Sequence, residues 1–339
     1  MDSLIEVLIT LPFPEELLER VSAVSPRLRV TALKAEKAQD ISVETWQKSE
    51  VLYTANILPE PEWVPRLRWI QFHWAGIDSL IDHPILKKAD LVATSLSGAA
   101  VTQMAEYILM MLLALGHRLP ALIENQRAAR WPKDRWKLFS PRELRGSTVG
   151  IVGYGSIGRE VARLLNAFGA TILATKREVM HPQDEDYVPE GQGDPTGDLV
   201  RRLYPPQALH SMIKECDFLV VTVPLTKDTH GLIGEEELKA MRPTAFLVDV
   251  SRGGVVDQAA LITALRDGKI AGAALDVFEG EPLPAESPLW KLPNVFVTPH
   301  ISGVTPEYDT RAVDLFVENT KRYLEGKPVF NQIDLSRGY

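Results

Sequence analysis

The sequence feature that most constrains the fold is a short apolar strand near residue 150 that runs through three glycines into a helical pattern. Residues 148–161 are Thr-Val-Gly-Ile-Val-Gly-Tyr-Gly-Ser-Ile-Gly-Arg-Glu-Val, with Gly153, Gly155 and Gly158 in the spacing G-x-G-x-x-G. A strand that enters a helix through glycines lets the N–H groups of the helix N-terminus face a pyrophosphate. A side chain at 153 or 155 would obstruct the turn or the phosphates, and one at 158 would separate helix from strand. The stretch predicts dinucleotide binding, with Ser156 and Ile157 as further contacts.

Length and composition limit the class of protein. A chain of 339 residues predicts two domains of ordinary size, and a hydrophobic content of 45% supports substantial cores. No apolar run approaches the roughly 20 residues of a membrane span, and a net charge of −8 argues against a general nucleic-acid binder. Cys216 is the one cysteine, so no internal disulfide can form. The first residues lack the basic start and long apolar stretch of a secretion signal, so we expect a cytoplasmic protein.

Short apolar runs alternate with helical patterns along the chain. Before the glycines, candidate strands cover residues 5–9, 51–55, 69–72 and 91–93, and a long apolar helix is expected over 99–118. After the glycines, candidate strands cover residues 171–174, 218–223, 245–249, 271–275 and 295–298, and an amphipathic helix is expected over 306–324. Near-continuous apolar strands separated by helices predict a parallel sheet covered on both faces.

The order of these elements predicts a split architecture of the α/β class. We expect a doubly wound parallel-sheet (Rossmann) coenzyme domain over residues 99–299. It would be inserted in a smaller flavodoxin-like α/β substrate domain made of residues 1–98 and 300–339, with the reacting atoms in the cleft between the two. Residues 179–206 do not fit a compact repeat, because they are rich in proline, glycine and acidic residues. Loops this long are functional or mobile, and we favour a mobile surface excursion over a functional lid.

Three segments place charged side chains after successive strands. Arg252 follows one strand, Glu279 and Glu281 follow the next, and His300 follows the one after. Ligands of open parallel sheets bind beyond the carboxyl ends of the strands, so these side chains can converge on one cleft. Taken singly, each has an ordinary alternative: a surface ion pair, a solvated turn, or a structural histidine. Together they predict a catalytic site, and spacing alone does not choose between the two glutamates.

The chain resembles the NAD(P)-dependent D-2-hydroxyacid dehydrogenase family. The resemblance covers nearly the whole chain, through Trp-Ala-Gly-Ile-Asp at 74–78, Ser-Arg-Gly at 251–253, Asp-Val-Phe-Glu-Gly-Glu-Pro at 276–282 and Thr-Pro-His at 298–300. It implies that Arg252, Glu281 and His300 form the catalytic set, and it alone selects Glu281. It also implies that backbone N–H groups of Ala75 and Gly76 bind the substrate carboxylate, although an ordinary turn is the alternative there. Residues 281–290 and 332–339 resemble the glyoxylate/hydroxypyruvate reductase branch.

These residue types suit the reduction of a 2-keto acid by a nicotinamide cofactor. Negative charge develops on the carbonyl oxygen as hydride reaches the carbonyl carbon. His300, as an imidazolium, would donate a proton to that oxygen, and Glu281 would orient the ring and favour its charged form. Arg252 would hold the substrate carboxylate with a planar pair of donors. This chemistry requires no metal, and the seven histidines show no metal-ligand spacing, so we predict none.

The cofactor preference depends on the residues about twenty positions after the glycines. An NAD-preferring site has an acidic residue there, which binds the ribose 2′-hydroxyl. Thr175, Lys176 and Arg177 stand there instead and favour a 2′-phosphate, so we expect NADP(H), with NAD(H) as the alternative. The two cations could equally solvate a strand end, and the acidic residues 184–186 would weaken the attraction if they folded back. We also expect cofactor contacts from Val223, Pro224, Val250, Asp276, His300 and Gly303.

The expected substrate is a small 2-keto or 2-hydroxy acid. Trp74 beside the carboxylate loop limits the available room, which favours glyoxylate and hydroxypyruvate. The family resemblance also implies a homodimer, formed through the helix near residues 105–115 and an arm containing Trp131 and Trp136. A helix buried in the core of a monomer would have the same apolar composition, so a monomer is the alternative.

Other functions on the same fold stay open. In the formate-oxidising branch the catalytic histidine is paired with glutamine, so Glu281 argues against formate oxidation. Phosphoglycerate oxidation would require additional cations and usually a regulatory extension. A dinucleotide-sensing binding protein, similar to the corepressors that retain this fold and even the catalytic residues, is the alternative from another class. Turnover of a panel of keto acids distinguishes an enzyme from such a sensor.

Overall fold

The computed structural model describes residues 4–99 and 101–335. The chain forms two compact units, one from residues up to 100 together with those from 305 onward, and one from Val101–Val304. His300, which the expected boundary at 299 placed in the outer domain, belongs to the second unit. Residues 336–339, part of the segment that resembles the reductase branch, lie outside the described residues.

The first unit is built on a parallel sheet. Its described strands are β1 (Ile5–Ile9), β2 (Leu28–Ala32), β3 (Val51–Thr54), β4 (Trp69–Phe72) and β5 (Val92–Thr94). Their spatial order is β2-β1-β3-β4-β5, and every neighbouring pair is parallel. This is the flavodoxin-like order, as predicted.

The described α-helices of this unit are α1 (Glu15–Ser22), α2 (Val43–Lys48) and the C-terminal helix (Tyr308–Leu324). α1 carries Glu15 and Glu16 in its first turn and a basic residue in its last turn, which complements the helix dipole. Arg20 of α1 is paired with Asp314 of the C-terminal helix. The tail beyond that helix is also held, because the backbone N–H of Ile333 donates to the carbonyl oxygen of Ala93 over 2.9 Å.

The second unit contains a longer parallel sheet. Its described strands are β6 (Thr148–Val152), β7 (Thr171–Thr175), β8 (Arg202–Tyr204), β9 (Phe218–Val221), β10 (Phe246–Asp249), β11 (Gly272–Leu275) and β12 (Val295–Val297). Their spatial order is β12-β11-β10-β9-β6-β7-β8, and every neighbouring pair is parallel. The chain proceeds outward from β6 in one direction and then outward from β9 in the other. This is the predicted doubly wound Rossmann order.

Helices cover both faces of this sheet. α3 (Val101–Gly116) and α6 (Ser156–Ala167) pack on one face, and α7 (Leu209–Ile213), α8 (Glu235–Ala240) and α9 (Gln258–Arg266) pack on the other. The two remaining described α-helices, α4 (Leu119–Arg127) and α5 (Arg135–Leu138), have no buried residues. Successive residues of β9 point to opposite faces: Phe218 and Val220 join one apolar cluster, and Leu219 and Val221 join the other. Each face therefore has its own core, which explains why the strands are continuously apolar.

The helix expected over residues 99–118 is shorter than predicted. α3 ends at Gly116, Arg118 has φ = +55°, and α4 follows. Among the described helices none alone is long and apolar enough to cross a membrane, and α3 and α4 meet that test only together, across a bend of 66°. Ala105, Ile108 and Leu112 of α3 are fully buried in the core of the second unit.

Two strands were not predicted, and both lie at a sheet edge. β2 and β8 are the terminal strands in their sheets, and their side chains are mostly half-buried or exposed, including Arg29 and Arg202. An edge strand has one neighbour and tolerates charged side chains, so its apolar pattern is weak. Several other strand boundaries differ from expectation by one or two residues, because hydrogen-bonded pairing, and not hydrophobicity, sets where a strand ends.

Candidate active site

The glycine turn joins β6 to α6. Gly153 has φ = +102°, which favours glycine, and a Cβ atom there would lie 2.7 Å from Cγ1 of Val223. A Cβ at Gly158 would lie 2.4 Å from the carbonyl oxygen of Gly153, so this glycine allows the helix to approach the turn. A Cβ at Gly155 would meet no atom within 4 Å, which leaves space in front of the N-terminus of α6. The turn therefore fits a dinucleotide pyrophosphate, as expected from the sequence.

The glycine turn lies where the strand order reverses. β9 runs beside β6, and Thr222, directly after β9, donates from Oγ1 to the carbonyl oxygen of Gly153 over 2.9 Å. Ligands of doubly wound sheets bind at this point, beyond the carboxyl ends of the strands. The other predicted cofactor residues near this edge are Ser156 and Ile157 at the start of α6, Val223 and Pro224 after β9, and Val250 after β10.

The residues at the end of β7 differ in their surroundings. Thr175 is buried, and its Oγ1 accepts a hydrogen bond from the first N–H of the glycine turn over 3.0 Å. Lys176 donates from Nζ to the carbonyl oxygens of His181 (2.6 Å) and Gln183 (2.9 Å). The side chain of Arg177 is exposed. Thr175 thus supports the turn itself, and two of the three ammonium hydrogens of Lys176 are directed to the following segment.

The stretch 179–206, for which we favoured a mobile surface excursion, is hydrogen-bonded to its own unit. It contains β8, and Asp194 within it is 4% exposed. Its acidic residues fold back towards Lys176. Burial is the main influence on the pKa of Lys176 and lowers it, while the carboxylates of Asp184, Glu178 and Glu185 raise it. This is the arrangement in which we expected a weaker attraction for a 2′-phosphate.

Arg252, Glu281 and His300 follow the adjacent parallel strands β10, β11 and β12, so all three lie beyond the same edge of the sheet. The turns after β10 and β11 are in close contact, since a Cβ at Gly253 would lie 1.8 Å from the carbonyl oxygen of Phe278. Only glycine permits that approach. The turn that carries Arg252 is thereby held beside the turn that leads to Glu281.

His300 and Glu281 are in direct contact. Nδ1 of His300 lies 2.8 Å from Oε2 of Glu281, and their side chains are 44% and 35% exposed. Oε1 of Glu281 accepts a hydrogen bond from the backbone N–H of Phe278 over 3.0 Å, which fixes the carboxylate. A histidine that donates from Nδ1 to a carboxylate has Nε2 as the nitrogen that can exchange a proton with a ligand.

The structure separates the two glutamates that spacing left open. Oε1 of Glu279 accepts a hydrogen bond from the backbone N–H of Gln258, at the start of α9, over 3.0 Å. Glu279 therefore caps a neighbouring helix, whereas Glu281 contacts His300. The choice that rested on the family resemblance agrees with this geometry.

The loop that carries His300 is held by Asp276, at the end of β11. The φ of His300 is +51°, which is uncommon for a residue with a side chain. Asp276 is fully buried; its Oδ1 accepts hydrogen bonds from Oγ1 of Thr298 (2.6 Å) and N–H of Ile301 (2.9 Å), and its Oδ2 accepts one from N–H of Ser302 (2.8 Å). Asp276, predicted as a cofactor contact, thus directs its carboxylate to both sides of the histidine. We did not predict this role from the sequence. The signal that could have indicated it is an aspartate directly after a buried strand.

Helix α3 also contacts this loop. The hydroxyl of Tyr107 lies 2.6 Å from Oγ1 of Thr298, and Nε2 of Gln103 donates to the carbonyl oxygen of Gly303 over 2.9 Å. Burial raises the pKa of Tyr107 to about 12, so its hydroxyl keeps its proton at neutral pH. Gly303, another predicted cofactor residue, is therefore fixed through its carbonyl group.

The turn before Arg252 is stabilised by a buried carboxylate. Oδ1 of Asp249 accepts hydrogen bonds from the backbone N–H (3.0 Å) and hydroxyl (2.5 Å) of Ser251. Burial raises the pKa of Asp249 to about 6, an effect that the hydrogen bonds from Ser251 oppose and the nearby carboxylate of Asp276 strengthens. Arg252 is half-buried and donates from Nη1 to the carbonyl oxygen of Ser251 over 2.9 Å.

Ala75 and Gly76 belong to the other unit, in the loop after β4. Ala75 is exposed and Gly76 half-buried. His73 before them is buried; its Nδ1 lies 2.9 Å from the hydroxyl of Tyr53, and its carbonyl oxygen accepts a hydrogen bond from the hydroxyl of Tyr308 over 3.0 Å. Burial lowers the pKa of His73 to about 4. The loop therefore begins from a fixed, neutral histidine.

The site in the second unit thus combines an anion-binding helix N-terminus, a cation at Arg252 and a proton-exchanging pair at His300 and Glu281. Across residues 4–99 and 101–335, no group of three histidine, cysteine, aspartate or glutamate side chains is placed to hold a metal ion. The chemistry available from these side chains is anion binding and proton transfer.

Comparisons with known proteins agree with this description. The family model for the D-isomer specific 2-hydroxyacid dehydrogenase NAD binding domain matches residues 109–302. A glyoxylate reductase from Korarchaeum cryptofilum is 35% identical over 272 residues, which are 78% of this chain and 76% of that protein.

Two solved structures are similar over essentially the whole chain. A D-isomer specific 2-hydroxyacid dehydrogenase from Xanthobacter autotrophicus, in complex with NADPH and MES, has a TM-score of 0.79 and 29% identity and covers 100% of both chains. An NADPH-dependent glyoxylate/hydroxypyruvate reductase from Sinorhizobium meliloti, in complex with NADP and sulfate, has a TM-score of 0.75 and 25% identity and covers 99% of this chain and 100% of that one.

Proposed function

The chain belongs to the D-isomer specific 2-hydroxyacid dehydrogenase family, in its glyoxylate/hydroxypyruvate reductase-like branch, and is an NAD(P)-dependent oxidoreductase; we propose that it is an NADP(H)-preferring reductase of small 2-keto acids. The names of two similar proteins, a glyoxylate reductase and a glyoxylate/hydroxypyruvate reductase, support glyoxylate and hydroxypyruvate as the substrates in this proposal. The observation that supports the proposal most is the contact between His300 and Glu281, 2.8 Å apart, at the carboxyl edge of the coenzyme sheet.

His300 is the proton donor in this proposal. A nicotinamide cofactor held at the glycine turn would supply a hydride to the carbonyl carbon of the keto acid. The imidazolium of His300 donates its Nε2 proton to the carbonyl oxygen as that oxygen becomes negative. Glu281 stabilises the imidazolium through Nδ1, and Phe278 fixes the carboxylate of Glu281 through a backbone hydrogen bond of 3.0 Å.

Arg252 binds the substrate carboxylate and polarises the carbonyl group. A guanidinium group presents two parallel N–H donors to a planar pair of oxygens, which orients the substrate as well as holding it. The family resemblance also assigns substrate-carboxylate binding to backbone N–H groups of Ala75 and Gly76, in the loop after β4. His73, held by Tyr53 and Tyr308, gives their loop a fixed start.

The preference for NADP(H) rests on the end of β7. Thr175, Lys176 and Arg177 carry no negative charge there, so a 2′-phosphate meets no carboxylate repulsion from these positions. Arg177, whose side chain is exposed, is the main phosphate-binding residue in this proposal. Lys176, whose Nζ donates to carbonyl oxygens of His181 and Gln183, contributes less. The two similar structures named above carry NADPH or NADP, which also supports the preference.

We further propose a homodimer that uses the arm around Trp131 and Trp136. These side chains are 83% and 79% exposed, and the guanidinium carbon of Arg135 lies 5.9 Å and 4.7 Å from their rings. Aromatic side chains are enriched in protein–protein interfaces, which supports a contact at this arm. Sedimentation velocity should give a dimer for the natural chain and a monomer for the double variant Trp131→Ser and Trp136→Ser.

Turnover of a keto-acid panel tests the proposed function. NADPH oxidation is followed with glyoxylate, hydroxypyruvate and pyruvate, with NADH measured in parallel. The proposal expects turnover of the first two and a higher kcat/KM with NADPH than with NADH. Cofactor binding without turnover of any acid would support a dinucleotide sensor instead, and a higher kcat/KM with NADH would refute the cofactor preference.

A further inference from the structure

The segment 178–199 follows β7, and the proposed function does not use its side chains. We propose that it forms the wall of the adenosine-ribose subsite and that its attachment to Arg159 sets the affinity for the adenosine half of the dinucleotide. The inference rests on the binding of NADP(H) in the proposed function and not on which keto acid is reduced.

The segment is attached to α6 through a buried arginine. Arg159, in the first turn of α6, is 1% exposed. Its guanidinium donates to the carbonyl oxygens of Pro182, Gln183 and Asp194, and its Nε lies 3.2 Å from Oδ2 of Asp184. A charged group is buried only where it is paired and hydrogen-bonded. The burial of Arg159 therefore depends on the segment being in place.

A second attachment reaches the glycine turn itself. The hydroxyl of Tyr154, between Gly153 and Gly155, donates to Oδ2 of Asp194 over 2.5 Å. The same carboxylate accepts hydrogen bonds from the backbone N–H groups of Gly197 (3.2 Å), Asp198 (3.1 Å) and Leu199 (3.0 Å). Asp194 thus shapes the end of the segment and ties it to the phosphate-binding turn.

Further hydrogen bonds strengthen the attachment. The backbone N–H of Gly193 donates to Oε2 of Glu160, the next residue of α6, over 2.7 Å. Lys176, at the end of β7, donates to the carbonyl oxygens of His181 and Gln183. The segment is therefore bonded to the glycine turn, the first turn of α6 and the end of β7.

These three elements surround one part of a bound dinucleotide. In a doubly wound sheet the pyrophosphate lies at the N-terminus of the first helix, and the residues after the second strand contact the ribose of the adenosine half. α6 is that helix and β7 is that strand. A segment bonded to both, and to the turn between β6 and α6, lies beside the adenosine ribose and away from the strands β10 to β12 that carry the catalytic candidates.

The first experiment uses the natural chain and two fragments of the cofactor. Hydrogen–deuterium exchange is measured with 2′,5′-ADP, which represents the adenosine half, and with nicotinamide mononucleotide, which represents the other half. We expect 2′,5′-ADP to slow exchange at least fivefold in peptides covering 178–199, and nicotinamide mononucleotide to leave them unchanged. Slower exchange confined to the glycine turn, residues 150–160, with either fragment would overturn the inference.

A matched pair of arginine variants tests the attachment. Arg159→Met removes the buried guanidinium, whereas Arg266→Met removes an exposed arginine at the end of α9. Calorimetric titration should show at least tenfold weaker binding of 2′,5′-ADP by Arg159→Met, less than twofold change for nicotinamide mononucleotide, and natural affinities for Arg266→Met. Equal affinity of Arg159→Met and the natural chain for 2′,5′-ADP, with faster exchange in 178–199, would refute the role of the attachment.

The two experiments separate this inference from the proposed function. Both measure fragment binding in the absence of a keto acid. If no keto acid is reduced but 2′,5′-ADP protects residues 178–199, the inference stands and the reductase proposal fails. If keto acids are reduced and these residues show no protection, the reductase proposal stands and this inference fails.

Discussion

Nδ1 of His300 lies 2.8 Å from Oε2 of Glu281, although 19 positions separate the two residues in the chain. They follow β12 and β11, which are adjacent and parallel, so their turns emerge at the same edge of the sheet. The second oxygen of Glu281 is bonded to the backbone N–H of Phe278, and the histidine loop is bonded to Asp276. Hydrogen bonds thus hold both the carboxylate of Glu281 and the loop that carries His300, while the side chain of His300 remains partly exposed.

Replacement of the histidine tests its role as proton donor. We expect His300→Ala to lower kcat for keto-acid reduction by about 100- to 10,000-fold, the usual contribution of a positioned acid. Because the side chain acts on the substrate, the Kd for NADPH should change less than threefold. His210→Ala, an exposed histidine on α7, is the control and should keep the natural kcat. A kcat for His300→Ala within threefold of the natural value would exclude this role.

The two neighbouring glutamates provide a matched comparison. Glu281→Gln replaces the charged partner of His300 with a neutral amide, which weakens a charge-assisted hydrogen bond by roughly 1.5–3 kcal/mol. We expect a roughly 10- to 100-fold lower kcat at pH 7.5 and a decline of reductase activity that begins at lower pH. Glu279→Gln should leave the pH profile unchanged, because Glu279 is bonded to Gln258. Equal profiles for the two variants would show that contact with His300 does not matter.

Asp276 is expected to act through the histidine loop. Asp276→Asn keeps the shape of the side chain but places an NH₂ group against backbone or hydroxyl donors. We expect a loss of about 1–3 kcal/mol in the free energy of unfolding, measured with urea, because a buried donor loses its partner. kcat should fall while the Kd for NADPH stays within twofold. Weaker NADPH binding with unchanged kcat would instead indicate direct contact with the cofactor, and Asp267→Asn at an exposed position serves as the control.

The buried His73 predicts an acid-sensitive stability. Burial lowers its pKa from 6.5 to about 4, although Nε2 lies 3.5 Å from the half-exposed carboxylate of Asp309. Between these values the unfolded chain binds a proton that the folded chain does not, so stability decreases as the pH falls from 6.5 towards 4. At pH 5 this histidine lowers the free energy of unfolding by about 2 kcal/mol. Urea unfolding at pH 7.5 and pH 5.0 should therefore show a smaller difference for His73→Gln than for the natural chain, and an equal difference would contradict the assignment.

The cations after β7 are expected to contribute unequally to cofactor preference. Arg177→Ser should lower kcat/KM for NADPH by roughly 10- to 100-fold and change kcat/KM for NADH less than threefold, because only NADPH carries the 2′-phosphate. Lys176→Gln should have a smaller effect on the ratio of the two values, since Nζ is bonded to carbonyl oxygens of His181 and Gln183. Equal losses for NADPH and NADH in Arg177→Ser would mean that this side chain does not distinguish the cofactors.

Much of the fold could be predicted because its central strands are apolar on both sides. β6, β9, β10 and β11 have buried side chains at almost every position, and the corresponding runs were identified from hydrophobicity alone. The edge strands β2 and β8 were missed for the opposite reason, since residues such as Arg29 and Arg202 interrupt the pattern. Local hydrophobicity reports burial, and an edge strand is only partly buried.

The amino-acid sequence by itself determined the periodicity of the strands and helices, the glycine turn with its requirement for small residues, and the chemical types available after β10, β11 and β12. Only the tertiary structure decided that Glu281 and not Glu279 contacts His300, that the carboxylate of Asp276 bonds to the histidine loop, and that residues 178–199 pack on Arg159. The physical reason is that each of these contacts joins side chains and backbone groups from different elements. Their meeting depends on strand register and turn conformation, which the spacing of residues along the chain does not specify.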